Sequence, residues 1–212
     1  MVQIGNETDS GFLWNYGKVW NQFATNFINF AALFNQGAQA VRDVCPSDTK
    51  IIFHHSSVEN AVYFLDQLRL YPINYDVIGL SYYPQFQTKD LNLVQSKLNT
   101  LASTFNKEIM IVETAYPFTL NFNDNLTNYV GNINQIVPQY AASPQGQKDF
   151  LLKIIALLKA IPNQKGIGFI YWAPDWVSFT GNAATTLGGS SWENQCLWNF
   201  NGTALPALDA FK

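Results

Sequence analysis

Residues 108–117, EIMIVETAYP, decide the fold. The short apolar run from Ile109 to Val112 reads as a strand covered on both faces, the pattern of a parallel sheet packed between helices. It stops at Glu113, and a Pro-containing turn follows. A lone carboxylate closing a buried strand is costly unless it is paired or opens onto a cleft. Glu113 is therefore either one half of an ion pair with a nearby Lys or Arg, or a site residue. The chain start repeats the arrangement: VQIGNE, residues 2–7, is a strand-like piece that also ends in a carboxylate, Glu7. Two acids closing two strands suggest an acid/base pair. Enzymes that cleave glycosidic bonds with retention hold two such groups about 5–5.5 Å apart, one as acid and base, the other as nucleophile.

Upstream of Glu113, Leu91, Val94, Leu98, Leu101 and Phe105 mark one amphipathic helix. Ahead of it DVIGLSYYP, residues 76–84, reads as a strand ending in Ser81, Tyr82 and Tyr83. ENAVYFLDQLRL is a helix, and KIIFH, residues 50–54, a strand with His54 and His55 at its end. After Glu7, the loop TDSGFLWNYGKVWNQ carries Gly11, Trp14 and Trp20. A long helix follows, with Phe23, Phe27, Phe30, Phe34, Ala38 and Val41 on one stripe. Pro46 ends it, because proline disfavours helical geometry at Cys45. Downstream of Glu113, a loop over about residues 114–142 has the length of a lid or binding loop. Ser143 and Pro144 supply an N-cap and a first helical position for a helix through Ile161. GIGFIYW is the last clear strand, ending in Trp172 with APDW beyond it, and the tail carries Trp192, a short strand-like piece and a short helix.

Five strand units with polar residues gathered at their carboxyl ends predict an α/β fold, part of a (β/α)8 TIM barrel that builds its site on that face. A closed barrel takes eight units and typically about 250 residues. The chain has 212 residues, and its first residue already lies inside a strand. The expectation is a single incomplete barrel domain over residues 1–212, strands 4–8 with their helices, lacking roughly the first three units. Its unpaired sheet edges should make it prone to associate.

Composition narrows the function classes. At 48% hydrophobic, 15% aromatic and 13% charged, the chain buries a substantial core and is not of the disordered class. A net charge of −3 and a pI near 5.2 give no support to nucleic acid or an anionic membrane surface as partner. The longest apolar run, residues 151–161, contains lysines and falls short of a bilayer span, and no signal-peptide pattern opens the chain. Cys45 and Cys196 lack metal-ligand spacing and read as buried free thiols. Low charge with many Asn and aromatic residues fits a surface that binds neutral sugars.

VQIGNE, DVIGLSYYP, IVETAYP, YWAPDW and WENQCLWNFNGTALPALDAF together resemble glycoside hydrolase family 53, the arabinogalactan endo-β-1,4-galactanases. The similarity runs from Val2 to Phe211 and corresponds to the later five strands of that family's barrel. It implies that Glu7, after Asn6, is the acid/base at the end of barrel strand 4, and Glu113 the nucleophile at the end of strand 7. The implied chemistry is retaining endo-hydrolysis of β-1,4-galactan, with Glu7 protonated when Glu113 attacks, so the surroundings of the two acids should differ. Asn6 would hydrogen-bond the sugar 2-hydroxyl. The resemblance also implies a secreted, cell-surface or periplasmic protein that requires no cofactor.

The other candidates keep two readings each. Trp172 is a sugar platform or ordinary packing. Tyr82 or Tyr83 holds Glu113, since strand alternation sends only one of them toward it. His54, and less so His55, is a substrate contact, a support for a residue that touches substrate, or a satisfied core histidine, and Ser81 lies on the same strand-end face. Trp14, Trp176 and Trp192 line outer subsites or are simply buried. In NFNDNLTN, Asp124, Asn125 and Asn128 are oxygen donors at calcium-compatible spacing. Some members of the family carry calcium there; with Asn supplying most donors, the alternative is a solvated turn. The sequons at Asn125 and Asn201 matter only in a glycosylating host. Two other functions compete with galactan hydrolysis: a non-catalytic galactan-binding fragment, and a related glycosidase acting on mannan or xylan.

Overall fold

The computed structural model describes residues 1–20, 26–180 and 188–212, so Phe23 of the expected helical stripe lies outside the described residues. In chain order the elements are β1 (Val2–Ile4), a small hairpin of β2 (Gly11–Phe12) and β3 (Gly17–Lys18), α1 (Phe27–Val44), β4 (Ile51–His55), α2 (Ala61–Leu68), β5 (Val77–Ser81), α3 (Leu91–Phe105), β6 (Glu108–Thr114), α4 (Pro144–Lys159) and β7 (Gly166–Tyr171). The five expected strands form one parallel sheet in the order β1-β4-β5-β6-β7, with β1 and β7 at its ends. That alternation of strand and helix is the expected α/β pattern. The chain partitions into two compact units, Met1–Tyr82 with Asn92–Val112 and Leu158–Gly168, and Tyr83–Leu91 with Glu113–Leu157 and Phe169–Lys212.

The first unit holds most of the sheet. Register pairs Gln3 with Ile52 and His54 with Gly79, so period-2 alternation gives each strand two distinct faces. One face carries Phe53 of β4, which packs on Phe30 and Phe34 of α1 and on Phe64 of α2 at ring distances of 5.7–6.5 Å. Asn26 caps α1 by accepting the Asn29 N–H at 3.2 Å. The opposite face carries Ile52, Val77 and Val112, with Met110 and Ile167 against them. Gly79 sits between these side chains. A Cβ there would lie 2.7 Å from Ile52 Cγ2 and 2.9 Å from Val112 Cγ1. Gly79→Ala is therefore expected to destabilise the chain by about 1–3 kcal/mol through overpacking, read as a drop in thermal midpoint. An unchanged midpoint would show that the sheet relaxes freely.

The second unit is organised around Tyr171, at the end of β7. Its buried hydroxyl donates to the Gln195 carbonyl at 2.6 Å and accepts the Tyr116 N–H at 3.0 Å and the Gln147 amide at 3.2 Å. Burial raises its pKa, so it stays a neutral donor. Gln147, wholly buried on α4, also donates to the Tyr116 and Cys196 carbonyls. One small network thus fixes the segment after β6, the helix α4 and the 195–196 segment together. Ser143 caps α4, its hydroxyl accepting the Gly146 N–H at 3.0 Å.

Several expectations need correction. The segment after Glu7 is a 3-10 turn (Thr8–Ser10) and the β2-β3 hairpin, too short to register as apolar periodicity. The long loop contains a 3-10 turn at Ile133–Gln135, closed by a capping box from Asn132. Cys196 is buried, but Cys45 is only partly so, because it is already beyond the last turn of α1. The tail provides a single bridge, Trp198 to Ala204, and a 3-10 helix at Pro206–Phe211.

Candidate active site

In the first unit, Glu7 follows β1 after a glycine turn and adopts a left-handed backbone with φ of 44°, a conformation that side-chain-bearing residues adopt at a cost of about 1–3 kcal/mol. Its surroundings hold it there. The Glu7 N–H donates to His54 Nδ1 at 3.2 Å, and Thr8 Oγ1 donates to the His54 carbonyl at 3.0 Å. His54 Nε2 meets Ser81 Oγ at 2.9 Å, and Ser81 Oγ donates to Glu7 Oε1 at 2.7 Å. A backbone N–H can only donate, so Nδ1 carries the lone pair and the neutral ring has its proton on Nε2. That proton points to Ser81, whose own hydrogen is left for Glu7. The three residues form a closed ring of hydrogen bonds around the carboxylate.

Burial lowers the His54 pKa from 6.5 to about 4; Asp9 opposes the shift and His55 adds to it. Burial likewise lowers that of His55. Between pH 6.5 and about 4 the unfolded chain takes up protons at these rings while the folded chain does not, so stability falls as pH falls through that window. For His54 alone the loss is up to about 3 kcal/mol. The expected result is a thermal midpoint that declines from pH 6.5 to pH 4. A flat profile would mean that the ring is protonated in the fold.

In the second unit, Glu113 is buried at the end of β6 and its Oε2 accepts the Tyr83 hydroxyl at 2.9 Å. This decides between the two tyrosines: Tyr83 reaches Glu113, and Tyr82 is wholly buried. Tyr83 packs edge-on to Trp192 at 5.6 Å, and Trp192 in turn lies 5.5 Å from Tyr129. Trp192 is therefore mostly buried, a wall behind Tyr83. Trp172 follows β7, its N–H donating to the Thr114 carbonyl at 2.8 Å, and its ring lies 38% exposed beside the half-exposed Trp176.

The remaining candidates fall differently. Asn6 is exposed, with Oδ1 3.4 Å from the Gln3 amide. Ser81 and His54 are wholly buried, and the polar atoms of both bind each other and Glu7. Trp14 is exposed under the Lys18 ammonium. Asp124 accepts the Leu126 N–H at 2.9 Å on one carboxylate oxygen and the Ser190 N–H at 2.7 Å on the other. The Asn128 amide donates toward the Asn121 carbonyl and Glu193. These side chains strap the loop to residues 190–193. Buried Glu193, which accepts the Asn123 N–H at 2.8 Å, went unread in the sequence, as did Tyr171 and Gln147.

Comparison with known proteins identifies the family. A sequence model of glycosyl hydrolase family 53 matches residues 1–211. The chain is 38% identical to the arabinogalactan endo-β-1,4-galactanase of Cellvibrio japonicus (strain Ueda107), over all of this chain and 56% of that protein. It is 30% identical to the endo-β-1,4-galactanase of Bacillus subtilis (strain 168), over all of this chain and 54% of that protein. The solved family 53 catalytic domain of Ignisphaera aggregans superposes with a TM-score of 0.87 at 35% identity, over 99% of this chain and 57% of that one. The catalytic core of a xylanase A, at 16% identity and a TM-score of 0.56, shares the fold. The chain thus spans little more than half the length of these relatives. With the family model matching nearly end to end and the barrel-type sheet superposing on a solved member, the chain belongs to glycosyl hydrolase family 53.

Proposed function

We propose that the protein is a retaining endo-β-1,4-galactanase in which Glu113 is the nucleophile and Glu7 the acid and base. The observation that carries this reading is the chain-long identity to two endo-β-1,4-galactanases. The local chemistry supports it. Glu113 attacks the anomeric carbon as Glu7 gives a proton to the departing glycosidic oxygen; Glu7, now ionised, takes a proton from water, which releases the sugar from Glu113. Because the Ser81 hydrogen is directed at Oε1, the proton that Glu7 delivers sits on Oε2. His54 and Ser81 act as positioning residues for Glu7, and Tyr83 does the same for Glu113. The exposed face of Trp172 suits the C–H face of a pyranose, Trp176 extends it, and Asn6 is placed beside Glu7 for a sugar hydroxyl. A polymeric substrate favours a secreted or cell-surface location, and no described helix is long and apolar enough to cross a membrane.

The test compares reducing-end release from galactan, mannan and xylan, with the anomer of the first product followed by NMR. Galactan should be cleaved fastest, with a β-anomer first. Equal rates on all three, or an α-anomer, would overturn the reading. Coverage of little more than half of the relatives favours a second reading for the chain alone: it binds galactan, hydrolyses it poorly and associates through the ends of its sheet. Hydrolysis by the isolated monomer at a relative's rate would remove that reading.

A further inference from the structure

On the helix-facing side of the sheet, the first unit holds a cavity of about 240 Å³ walled by Asp9, Trp20, His55, Asn60 and Tyr63. It is separate from the Glu7 assembly. Consecutive strand residues face opposite ways, so His54 turns to Ser81 and Glu7, whereas His55 packs on Phe64 of α2 at 5.3 Å.

The walls are built in advance. The Trp20 indole N–H donates to the Asp9 carbonyl at 2.7 Å, and the Asp9 carboxylate accepts the Ser56 N–H and hydroxyl at 2.9 Å each. Phe27 and Phe64 hold Trp20 edge-on at 5.4 and 6.3 Å. Tyr63 lies nearly parallel to Trp20, 6.5 Å away at 13°, yet is 61% exposed. Asn60 stands at the N-terminus of α2, where asparagine is among the best capping residues. Its side chain nevertheless makes no capping bond, which leaves an exposed amide on the rim.

We propose that this cavity is a secondary, non-catalytic saccharide site that takes a single neutral sugar ring. An indole and a phenol offer faces for C–H groups, the amide and the bound carboxylate offer partners for hydroxyls, and burial keeps His55 uncharged. The volume lies below the roughly 300 Å³ at which pockets for larger ligands begin, so one ring is enclosed and the other rings of a longer saccharide stay outside the cavity. That the ring belongs to galactan rests on the proposed function; the site itself does not.

The test is fluorescence titration of the chain with β-1,4-galactotriose and with galactan, comparing it with Tyr63→Ala, Asn60→Ala and Glu113→Ala, the fold of each checked by circular dichroism. Tyr63→Ala should weaken binding about threefold to tenfold, Asn60→Ala less, and both should leave turnover of an aryl β-galactoside unchanged. Undiminished affinity in Tyr63→Ala and Asn60→Ala overturns the proposal, as does parallel loss of aryl galactoside turnover, which would make the cavity part of the active site. Tyr63-dependent binding in a protein that cleaves no galactan would keep this site and remove the galactanase reading.

Discussion

Replacing Glu113 by alanine is expected to lower galactan hydrolysis by about 10⁴-fold or more. The loss follows from chemistry rather than fold: without the carboxylate, no glycosyl-enzyme bond forms and the departing alkoxide has nothing to replace it. Glu113 is buried and bound to Tyr83, so truncation also leaves a phenol facing a small void, and circular dichroism must show that the variant is folded. Azide supplies the discriminating readout. It can enter the space vacated by the side chain and attack the anomeric carbon itself, from the face that Glu113 would have used. The product would then be the α-galactosyl azide, formed with a single inversion from an activated aryl β-galactoside. The assay belongs on a form of the protein extended to the length of its relatives as well as on the chain itself. Activity of Glu113→Ala near the parent's level would remove Glu113 from the mechanism.

Much of this was legible in the residues. Ile109 to Val112 and Ile51 to Phe53 are continuous apolar runs because their strands are buried on both faces, and such runs end where the chain must turn toward solvent or a site. Glu113 and Glu7 stood out for that reason. The ring of Glu7, His54 and Ser81 was less visible. Each was named as a strand-end residue, but their joining depends on register, and only the pairing of His54 with Gly79 brings Ser81, two residues on, within reach. The strand-end positions of His54 and Ser81 mark them for the site without showing that their polar atoms engage Glu7. Gln147 was readable in principle, since it sits three and four residues before Phe150 and Leu151 on the buried stripe of α4. A polar residue in such a stripe signals a buried hydrogen-bonding task without naming its partners. The spacing that marks Asp124 along the loop does not reveal that a distant backbone N–H, that of Ser190, also bonds its carboxylate.

Replacing Glu7 by alanine should produce a loss whose size depends on the leaving group. On galactan, whose leaving group is a sugar alkoxide that must be protonated, hydrolysis is expected to fall by about 10²–10⁴-fold. On a dinitrophenyl β-galactoside the phenolate departs without help, so formation of the glycosyl-enzyme should continue nearly unchanged. Release should then become limiting, because Glu7 is also the base for the incoming water, and a burst of phenolate should precede a slow steady state. Azide needs no general base. It should restore the steady-state rate and yield the β-galactosyl azide, two inversions from the substrate, opposite in configuration to the product expected from Glu113→Ala. Ser81→Ala provides the graded companion. It removes the donor to Oε1 and frees the carboxyl group to rotate, so it should move the alkaline limb of the pH–rate profile on galactan, the limb set by the group that must carry a proton, while the burst on the dinitrophenyl substrate is retained. Equal losses on both substrates in Glu7→Ala would mean that the residue acts on binding or folding, and the acid would have to be sought elsewhere.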